Sequence, residues 1–317
     1  MKIIVTGANG QLGKCIRDAV ELYDRENNYF FLDRGNLDIA DHDNIVSVLD
    51  SIEPNVIINC AAYVKTDNAE GGERVNAYLA NALGPTYLAI ECKERGIELI
   101  HISTDYVFDG EKPTAYATGD EPNPLNIYGV SKYCGEKAIS DILGTDAIII
   151  RTSWLYSAYG ENFLTKTLKN IYKALKSNEN LRYVVDQIGC PTYAVNLAKF
   201  IVQNLIVEQH DAVIRNGITY HYTDEGIASR YDFAKAIEKE FFDSDNIVLG
   251  CESSDFEDKA KRPKCCILSK KELLNDFNCE IKDWRASLHE CAEIAKNMMP
   301  MILGLPLVEV SDGHGSV

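Results

Sequence analysis

Tyr128 and Lys132 are the two residues of this sequence whose types and spacing most directly suggest chemistry. Pro124 precedes them, and the segment from Tyr128 onward is typical of a helix entered from a proline-bearing loop. Residues four apart share one face of a helix, which brings the phenol and the ammonium group together. A neighbouring cation stabilises a phenolate, so the pair predicts a proton-transfer unit for a carbonyl that accepts a hydride.

The pair needs supporting residues, because tyrosine and lysine at this spacing are common on exposed helix faces. Thr104, after a predicted strand at residues 97–102, would place a hydroxyl at the edge where open α/β sheets bind ligands. Its hydroxyl could bind the carbonyl oxygen. His101, within that strand, is predicted to be a buried core residue. Loop 107–123 is rich in Gly, Pro and Asp, so we expect a mobile flap over the substrate.

A glycine-rich segment near the start of the chain predicts the source of the hydride. A β-branched run at residues 2–5 is followed by Gly7, Gly10 and Gly13, spaced G-x-x-G-x-x-G, and then by a helical pattern. Such glycines let the backbone approach a pyrophosphate, whose charge the helix N-terminus favours. The segment therefore predicts a dinucleotide-binding site.

The end of the second predicted strand, at residues 29–32, bears on the choice of cofactor. Asp33 would bind the ribose 2′-hydroxyl of NADH, whereas the adjacent Arg34 would accommodate the 2′-phosphate of NADPH. Asp38 offers a further polar contact near the adenine. The cofactor is therefore predicted to be NADPH or NADH, with the preference open.

The rest of the first half alternates between apolar strands and helical patterns. Strands are predicted at residues 56–60 and 147–150, and a long helix at residues 76–95 with a kink at Pro85. Small residues at Ala61 and Ala62 would admit a flat ligand at the strand end. This alternation predicts a Rossmann-type doubly wound parallel α/β sheet with helices on both faces.

The domain organisation follows from the same pattern. We expect residues 1–156 to form an NAD(P)-binding Rossmann domain to which later segments can return. Residues 157–305 are expected to form mainly a smaller, mixed α/β substrate-binding lobe. Residues 306–317 are expected to be a disordered tail.

Composition excludes several classes of protein. The formal net charge is 32 − 48 = −16, which argues against non-specific binding to nucleic acid or to an anionic membrane surface. An anionic ligand would therefore need a local positive site. Scattered cysteines and the lack of a signal-peptide or transmembrane pattern predict a cytoplasmic protein with reduced thiols, and no metal site is predicted.

Several spaced motifs together resemble a known family. The glycine pattern, Thr104 and the Tyr128 and Lys132 pair are similar to those of the extended short-chain dehydrogenase/reductases (SDR). The chain more narrowly resembles the dTDP-4-dehydrorhamnose reductases, over about residues 1–290, in the segments at residues 10–13, 59–63, 103–108, 151–154 and 186–192.

This resemblance implies an NAD(P)H-dependent oxidoreductase that reduces the C4 ketone of dTDP-4-dehydro-L-rhamnose to dTDP-L-rhamnose, for polysaccharide biosynthesis. Tyr128 would be the proton donor, Lys132 would lower its pKa and bind the nicotinamide ribose, and Thr104 would orient the keto oxygen. Cofactor contacts are expected at Gly7, Asn9, Gly10, Gln11, Leu12, Gly13, Asp33, Arg34, Asp38, Ile39, Ala61, Ala62, Tyr63, Tyr128 and Lys132. Substrate contacts are expected at Thr104, Asp105, Tyr106, Phe108, Tyr128, Trp154, Asn162 and Arg262. The resemblance also allows a homodimer.

Two departures from the family pattern fall in the substrate lobe. Lys264-Cys265-Cys266 stands where the family usually has a serine-bearing segment, and Ser229-Arg230-Tyr231 stands where it usually has a Ser-Trp pair. Alternative functions are another nucleotide-sugar 4-reductase or epimerase, and a non-catalytic, NADP-binding regulatory subunit like the beta subunit of methionine adenosyltransferase. A 4,6-dehydratase is disfavoured, because that family has an Asp-Glu pair where this chain has Asp105-Tyr106.

Overall fold

The computed structural model describes residues 1–208, 219–257 and 259–305, and the expected tail at 306–317 lies outside these ranges. Its strands, in chain order, are β1 (Lys2–Thr6), β2 (Asn28–Leu32), β3 (Val56–Asn59), β4 (Glu98–Thr104), β5 (Ala147–Thr152), β6 (Leu155–Tyr156), β7 (Leu181–Val184), β8 (Ile188–Gly189), β9 (Thr192–Tyr193), β10 (Thr219–His221), β11 (Ala228–Ser229) and β12 (Val248–Cys251).

Its α-helices, in the same order, are α1 (Gln11–Tyr23), α2 (His42–Ile52), α3 (Thr66–Ala69), α4 (Arg74–Tyr78), α5 (Gly84–Arg95), α6 (Ile127–Leu143), α7 (Phe163–Ser177), α8 (Ala194–Phe200), α9 (Arg230–Phe242), α10 (Lys271–Asp276), α11 (Trp284–Asn297) and α12 (Met299–Leu303). In the described ranges, no helix is both long and apolar enough to span a membrane.

A six-stranded sheet forms the centre, in the order β10-β5-β4-β3-β1-β2, and its neighbouring strands all pair in parallel. The predicted Rossmann-type doubly wound sheet is confirmed. Strand order reverses between β1 and β3, and sheets of this kind bind ligands outside the carboxyl ends of the strands at such a point.

The sheet strands are apolar on both faces because both faces are covered by helices. In β1, Ile3 and Val5 join one hydrophobic core, whereas Ile4 between them points into the other. All three side chains are fully buried. This period of two follows from the strand geometry, and two covered faces explain the unbroken apolar run.

The long helix predicted at residues 76–95 is interrupted by a π-helical turn, which the sequence did not predict. A π-helical turn, Leu79–Leu83, joins α4 to α5, and Pro85 lies at the start of α5. Proline has no N–H to donate to the preceding turn, so a wider turn there removes the conflict. The helical path therefore runs from Arg74 to Arg95 with a π turn where a kink was predicted.

The second half of the chain contributes to two different cores. Ala194, Tyr220 and Phe277 pack in the same core as β1, although they come late in the chain. Phe233 and Trp284 pack in a separate core with α7 and α9. The chain thus returns to the central sheet after it has begun the second lobe.

The loop 107–123 does not form the mobile flap that its composition suggested. Phe108 is fully buried and stacks on Tyr116 at 4.2 Å between ring centroids, in a cluster with Cys266 and Leu268. Asp109 accepts hydrogen bonds from the Tyr116 hydroxyl at 2.5 Å and from Asn123 Nδ2 at 2.9 Å. These contacts fix the loop against the body of the protein.

Candidate active site

The glycine-rich turn between β1 and α1 brings backbone close to the end of β3. Gly7 has φ of +62°, and a Cβ there would lie 2.8 Å from the backbone nitrogen of Ala61. Gly10 is the N-cap of α1 and has no side chain to occupy the first N–H groups of the helix. A helix N-terminus reached through glycines in this way suits a phosphate group.

A cavity of about 480 Å³ extends from this turn along the ends of β1, β2 and β3. The part beside β2 is polar: Asp33 Oδ2 accepts a hydrogen bond from Asn9 Nδ2 at 2.7 Å, and Arg34 Nε pairs with Asp38 Oδ2 at 3.0 Å. Its other expected lining residues are Gly7, Gly10, Ile39, Ala61, Ala62 and Tyr63. This shape suits the adenosine end of a dinucleotide.

A second cavity of about 440 Å³ shares Gly7, Asn9 and Gly10 with the first and continues towards β4 and α6. Gln11, Leu12 and Gly13 line it beside the glycine turn. The Gln11 side chain is already used, because its Nε2 donates to the carbonyl oxygen of Leu155 at 3.1 Å. Leu12 is buried, so contacts to a ligand from these positions would come mainly from the backbone.

Thr104, Tyr128 and Lys132 all line this second cavity. Thr104 is the last residue of β4, and Asn126 caps α6 by accepting a hydrogen bond from the Gly129 N–H at 2.8 Å. A Cβ on Gly129 would overlap the carbonyl oxygen of Tyr106, so this glycine lets α6 approach the end of β4 closely. The three side chains that sequence reasoning singled out are therefore brought together.

The electrostatics of Tyr128 differ from the sequence expectation. Burial raises the pKa of Tyr128 above its ordinary value, and a side-chain hydrogen bond with Thr104 opposes that shift. Burial also lowers the pKa of Lys132 to about 8. Lys132 Nζ donates to the carbonyl oxygen of Ile102 at 2.6 Å and lies 3.2 Å from His101 Nε2. The expected lowering of the Tyr128 pKa by Lys132 is not seen, because Tyr128 is desolvated and the Lys132 amine faces β4.

Asp105 and Tyr106 directly follow Thr104 in the chain. Asp105 is 2% exposed, its Oδ1 accepts from Thr104 Oγ1 at 3.1 Å, and burial raises its pKa to about 7. The rings of Tyr106 and Tyr128 meet edge to face, with centroids 5.7 Å apart. Burial raises the pKa of Tyr106, and the positive charge of Arg230 opposes that shift.

Trp154 lines the same cavity from the segment after β5. It has φ of +44°, which is unusual for a residue other than glycine. The guanidinium carbon of Arg230 lies 3.6 Å from the centroid of the Trp154 ring, and Gly189 lies so close to the indole that a Cβ there would meet it at 2.6 Å. The indole is therefore held in one orientation from the second lobe.

Arg230, which stacks on Trp154, is a residue that sequence reasoning did not select. It is the first residue of α9, after the N-cap Ser229, and a cation at that end opposes the helix dipole. Burial lowers its pKa, whereas Tyr106 and Asp105 favour the charged form. The sequence feature that could have pointed to Arg230 is the departure from the family pattern at residues 229–231.

Phe108 and Asn162 have other roles than the substrate contacts expected of them. Phe108 lies in the closed aromatic cluster under loop 107–123. Asn162 is the N-cap of α7: its Oδ1 accepts from the Thr165 N–H at 3.1 Å, and its Nδ2 donates to the Ser157 carbonyl oxygen at 2.8 Å. The first side chain is thus buried in a core, and the second is engaged in capping and in hydrogen bonds within its own segment; the substrate contacts expected of both stay predictions.

Arg262 forms an ion pair with the segment after β3. Its Nη2 donates to Asp67 Oδ2 at 2.6 Å, which joins the second lobe to the segment after β3. Arg262 also influences the electrostatics of both Tyr106 and Arg230. Two arginines therefore stand near Tyr106 in a protein of net charge −16.

Comparison with known proteins identifies relatives that match most of the chain. The chain matches the RmlD substrate binding domain family over residues 1–297. A dTDP-4-dehydrorhamnose reductase from Aggregatibacter actinomycetemcomitans is 36% identical over 297 residues, which cover 90% of this chain and 97% of that protein. A dTDP-4-keto-6-deoxy-D-glucose reductase from Streptomyces niveus is 40% identical over 235 residues, which cover 73% and 76%.

A solved structure gives the same result. The dTDP-4-dehydrorhamnose reductase from Bacillus anthracis, in complex with NADP, is 37% identical and superposes with a TM-score of 0.81. The match covers 92% of this chain and 98% of that protein. The similarity thus extends through both lobes.

Proposed function

We propose, from the premise that the chain belongs to the RmlD substrate binding domain family, that it reduces the C4 ketone of dTDP-4-dehydro-L-rhamnose to dTDP-L-rhamnose. It is an oxidoreductase of dTDP-rhamnose biosynthesis that uses a reduced nicotinamide cofactor. The observation that carries the proposal is the cleft in which the Gly7 turn, Thr104, Tyr128 and Lys132 share one wall.

The residues of the cleft fit a dinucleotide. A side chain at Gly7 would fill the space against Ala61, so the bare backbone there supports the approach of a pyrophosphate to the N-terminus of α1. Asn9, Asp33, Arg34 and the other lining residues of the first cavity would hold the adenosine end. The bound cofactor supplies a hydride to C4 of the sugar.

Tyr128 then supplies the proton that completes the reduction. As C4 gains a hydride, its oxygen gains negative charge, and the phenol O–H transfers a proton to that oxygen. The phenol is protonated at neutral pH, because its ordinary pKa is about 10 and burial raises it further, so the donor is loaded before the sugar binds. Thr104 hydrogen-bonds the same oxygen, and Lys132 holds the nicotinamide ribose.

The anionic part of the substrate is bound on the opposite wall. A dTDP-sugar carries a diphosphate, and Arg230 with Arg262 supplies the local positive site that a chain of net charge −16 needs. Asp105 and Tyr106 contact the sugar, and Trp154 presents its indole to the same cleft. We propose that residues 1–156, with the returning segments, bind the cofactor and that most of residues 157–305 shape the substrate side.

Cofactor preference is set at the end of β2. Asp33 favours a free ribose 2′-hydroxyl, whereas Arg34 favours a 2′-phosphate. We expect Asp33→Ala to weaken NADH binding more than NADPH binding, and Arg34→Ala to do the reverse. Fluorescence titration with each cofactor measures this, and equal losses for both cofactors in either variant would remove that residue from the assignment.

The test of the reaction follows the absorbance of NADPH and of NADH with dTDP-4-dehydro-L-rhamnose generated from its precursor. Sugar-dependent oxidation that yields dTDP-L-rhamnose is expected. Cofactor binding without sugar-dependent oxidation would overturn the reductase proposal and favour a binding protein.

A second candidate is reduction of a related dTDP-4-keto-6-deoxy sugar. The observation that favours it is the 40% identity to the dTDP-4-keto-6-deoxy-D-glucose reductase from Streptomyces niveus. Competition between the two keto sugars in one assay decides between them, because the preferred substrate has the larger kcat/KM.

We further propose a cytoplasmic homodimer. Ten cysteines that are all free thiols support a reducing compartment. Sedimentation at micromolar concentration should give about twice the chain mass of 35.4 kDa, and a species of 35.4 kDa would contradict the dimer.

A further inference from the structure

The side chain of Gln11, the first residue of α1, is hydrogen-bonded to the segment that joins β5 to α7. We call this segment, residues 153–162, the bridging segment. Gln11 Nε2 donates to the Leu155 carbonyl oxygen at 3.1 Å. Gln11 Oε1 accepts from Asn162 Nδ2 at 3.2 Å and lies 3.3 Å from Ser157 Oγ. One side chain of the glycine turn therefore contacts the bridging segment at three points.

Backbone groups fix the orientation of both amides in this contact. The Leu155 carbonyl oxygen only accepts, so the NH₂ group of Gln11 must face it. The Thr165 N–H only donates, so Asn162 turns its oxygen to that group and its NH₂ towards the Ser157 carbonyl oxygen and Gln11. Donors and acceptors are thus matched at both ends of the Gln11 side chain.

The backbone of Gln11 lies on the cofactor side of the same turn. The first hydrogen bond of α1 runs from the Lys14 N–H to the Gly10 carbonyl oxygen at 3.1 Å. The N–H groups of Gln11, Leu12 and Gly13 precede that bond and point out of the helix end, where the proposed function places the pyrophosphate. Gln11 therefore joins the pyrophosphate site, through its backbone, to the bridging segment, through its side chain.

The bridging segment forms part of the substrate cavity. Trp154, Leu155, Gly160 and Glu161 all line the second cavity. Trp154 has a left-handed backbone conformation, with φ of +44°, which neighbouring contacts must hold in place. Of the three contacts made by Gln11, the bond to Leu155 lies nearest to Trp154 in the chain. Movement of Gln11 would thus be passed to the residue beside the indole.

We propose that Gln11 is a positioning residue through which the bound cofactor orders the bridging segment, so that cofactor and sugar nucleotide bind cooperatively. The identity of the two ligands rests on the proposed function. A pyrophosphate held by the first N–H groups of α1 restrains Gln11, and Gln11 then restrains the segment that presents Trp154 to the sugar. Because coupling between two sites is reciprocal, the sugar nucleotide must tighten cofactor binding by the same factor.

A second link between α1 and the bridging segment supplies a matched control. Tyr159 Oη donates to Asp18 Oδ2 at 2.8 Å, and Lys14 Nζ lies 5.7 Å from the centroid of the Tyr159 ring. Asp18 lies roughly two turns along α1 from Gln11, away from the glycine turn. Tyr159→Phe therefore removes one hydrogen bond between the same two segments and leaves the Gln11 contacts in place.

Hydrogen–deuterium exchange of the full chain, with and without saturating NADP, tests the link without any sugar. NADP should slow exchange in residues 153–162 of the parent protein. Gln11→Met, which keeps the length of the side chain without an amide, should lose most of this slowing, whereas Tyr159→Phe should keep it. Equal slowing in Gln11→Met would overturn the proposal. Failure of the parent protein to bind NADP would overturn the proposed function, and this proposal with it.

Calorimetric titration with dTDP, in the presence and absence of NADP, measures the cooperativity. Repulsion between the two diphosphates acts in every variant, so the comparison is between proteins. The factor by which NADP tightens dTDP binding should be about fivefold or more larger in the parent protein than in Gln11→Met. Tyr159→Phe should match the parent protein. The same factor in Gln11→Met as in the parent protein would contradict the proposal, even where the reductase assay succeeds.

Discussion

The carboxyl edge of the sheet and the wall that faces it are built by different means. At the edge, Thr104 and the Gly7 turn stand where strands end, and Tyr128 stands one residue into a capped helix. On the wall, Trp154, Arg230 and Arg262 come from distant segments: Arg230 stacks on Trp154, and Arg262 pairs with Asp67. In the proposed reaction, backbone geometry thus fixes the catalytic residues, and side-chain packing fixes the residues of recognition. Substitutions at the edge should change kcat, and those on the wall should change KM.

The largest expected effect is that of Tyr128→Phe at the edge. Removal of the proton donor should lower kcat by about 10²–10⁴-fold, because positioned acid catalysis contributes this much. The Kd of NADPH should stay nearly unchanged, since the ring is kept. Steady-state kinetics and a fluorescence titration measure both quantities, and normal turnover would refute the central assignment.

Arg230→Gln is the corresponding change on the wall. It removes a charge and the plane that stacks on Trp154, so KM for the dTDP-sugar should rise about 10–100-fold with a smaller change in kcat. Arg230→Lys is the matched control, because it keeps the charge without the plane, and its KM should lie between those of the other two proteins. A fall in kcat with KM unchanged would show that Arg230 acts in catalysis and not in substrate binding.

Asp105 lies where the two regions meet, and its effect depends on pH. In the described part of the chain its Oδ2 has no hydrogen-bond partner, and its pKa is raised to about 7. The protonated carboxyl therefore stabilises the fold at low pH, and this contribution is lost as pH rises through about 7.

The residue in Asp105→Asn does not titrate. The free energy of unfolding of this variant, relative to that of the parent protein, should therefore rise by roughly 1–3 kcal/mol as the pH increases from 5 to 8. Urea unfolding at the two pH values measures the difference. A constant difference would show that Asp105 is ionised at both pH values.

Asn162→Ala should have the smallest effect and separates capping from recognition. Loss of the N-cap of α7 should cost about 1 kcal/mol in the free energy of unfolding and leave KM unchanged. Asn162→Ser keeps an acceptor oxygen at the N-cap and should lose less. A raised KM in Asn162→Ala at unchanged stability would return this residue to the substrate site.

The sequence was informative where local rules act. The strand end at Thr104, the helix start at Tyr128 and the Gly7 turn follow from strand and helix patterns within a few residues. The fold class follows from the alternation of such elements along the chain.

Long-range packing accounts for the failures. The composition of loop 107–123 suggested mobility, yet Phe108 and Tyr116 pack on Cys266 and Leu268 far along the chain. Arg230 likewise becomes part of the site only through contacts with Tyr106 and Trp154, for which no short pattern exists. Asn162 is an exception, because Asn162 and Thr165 form a capping box that local reasoning could have found.

A crystal structure of the protein with NADP and its dTDP-sugar product tests most directly whether the edge and the wall hold the two ends of one substrate. We expect the C4 hydroxyl oxygen to lie about 2.6–3.2 Å from both Tyr128 Oη and Thr104 Oγ1. We also expect the diphosphate to lie beside Arg230 and Arg262. A product whose C4 oxygen lies away from Tyr128, with the diphosphate elsewhere in the cleft, would contradict the proposed site.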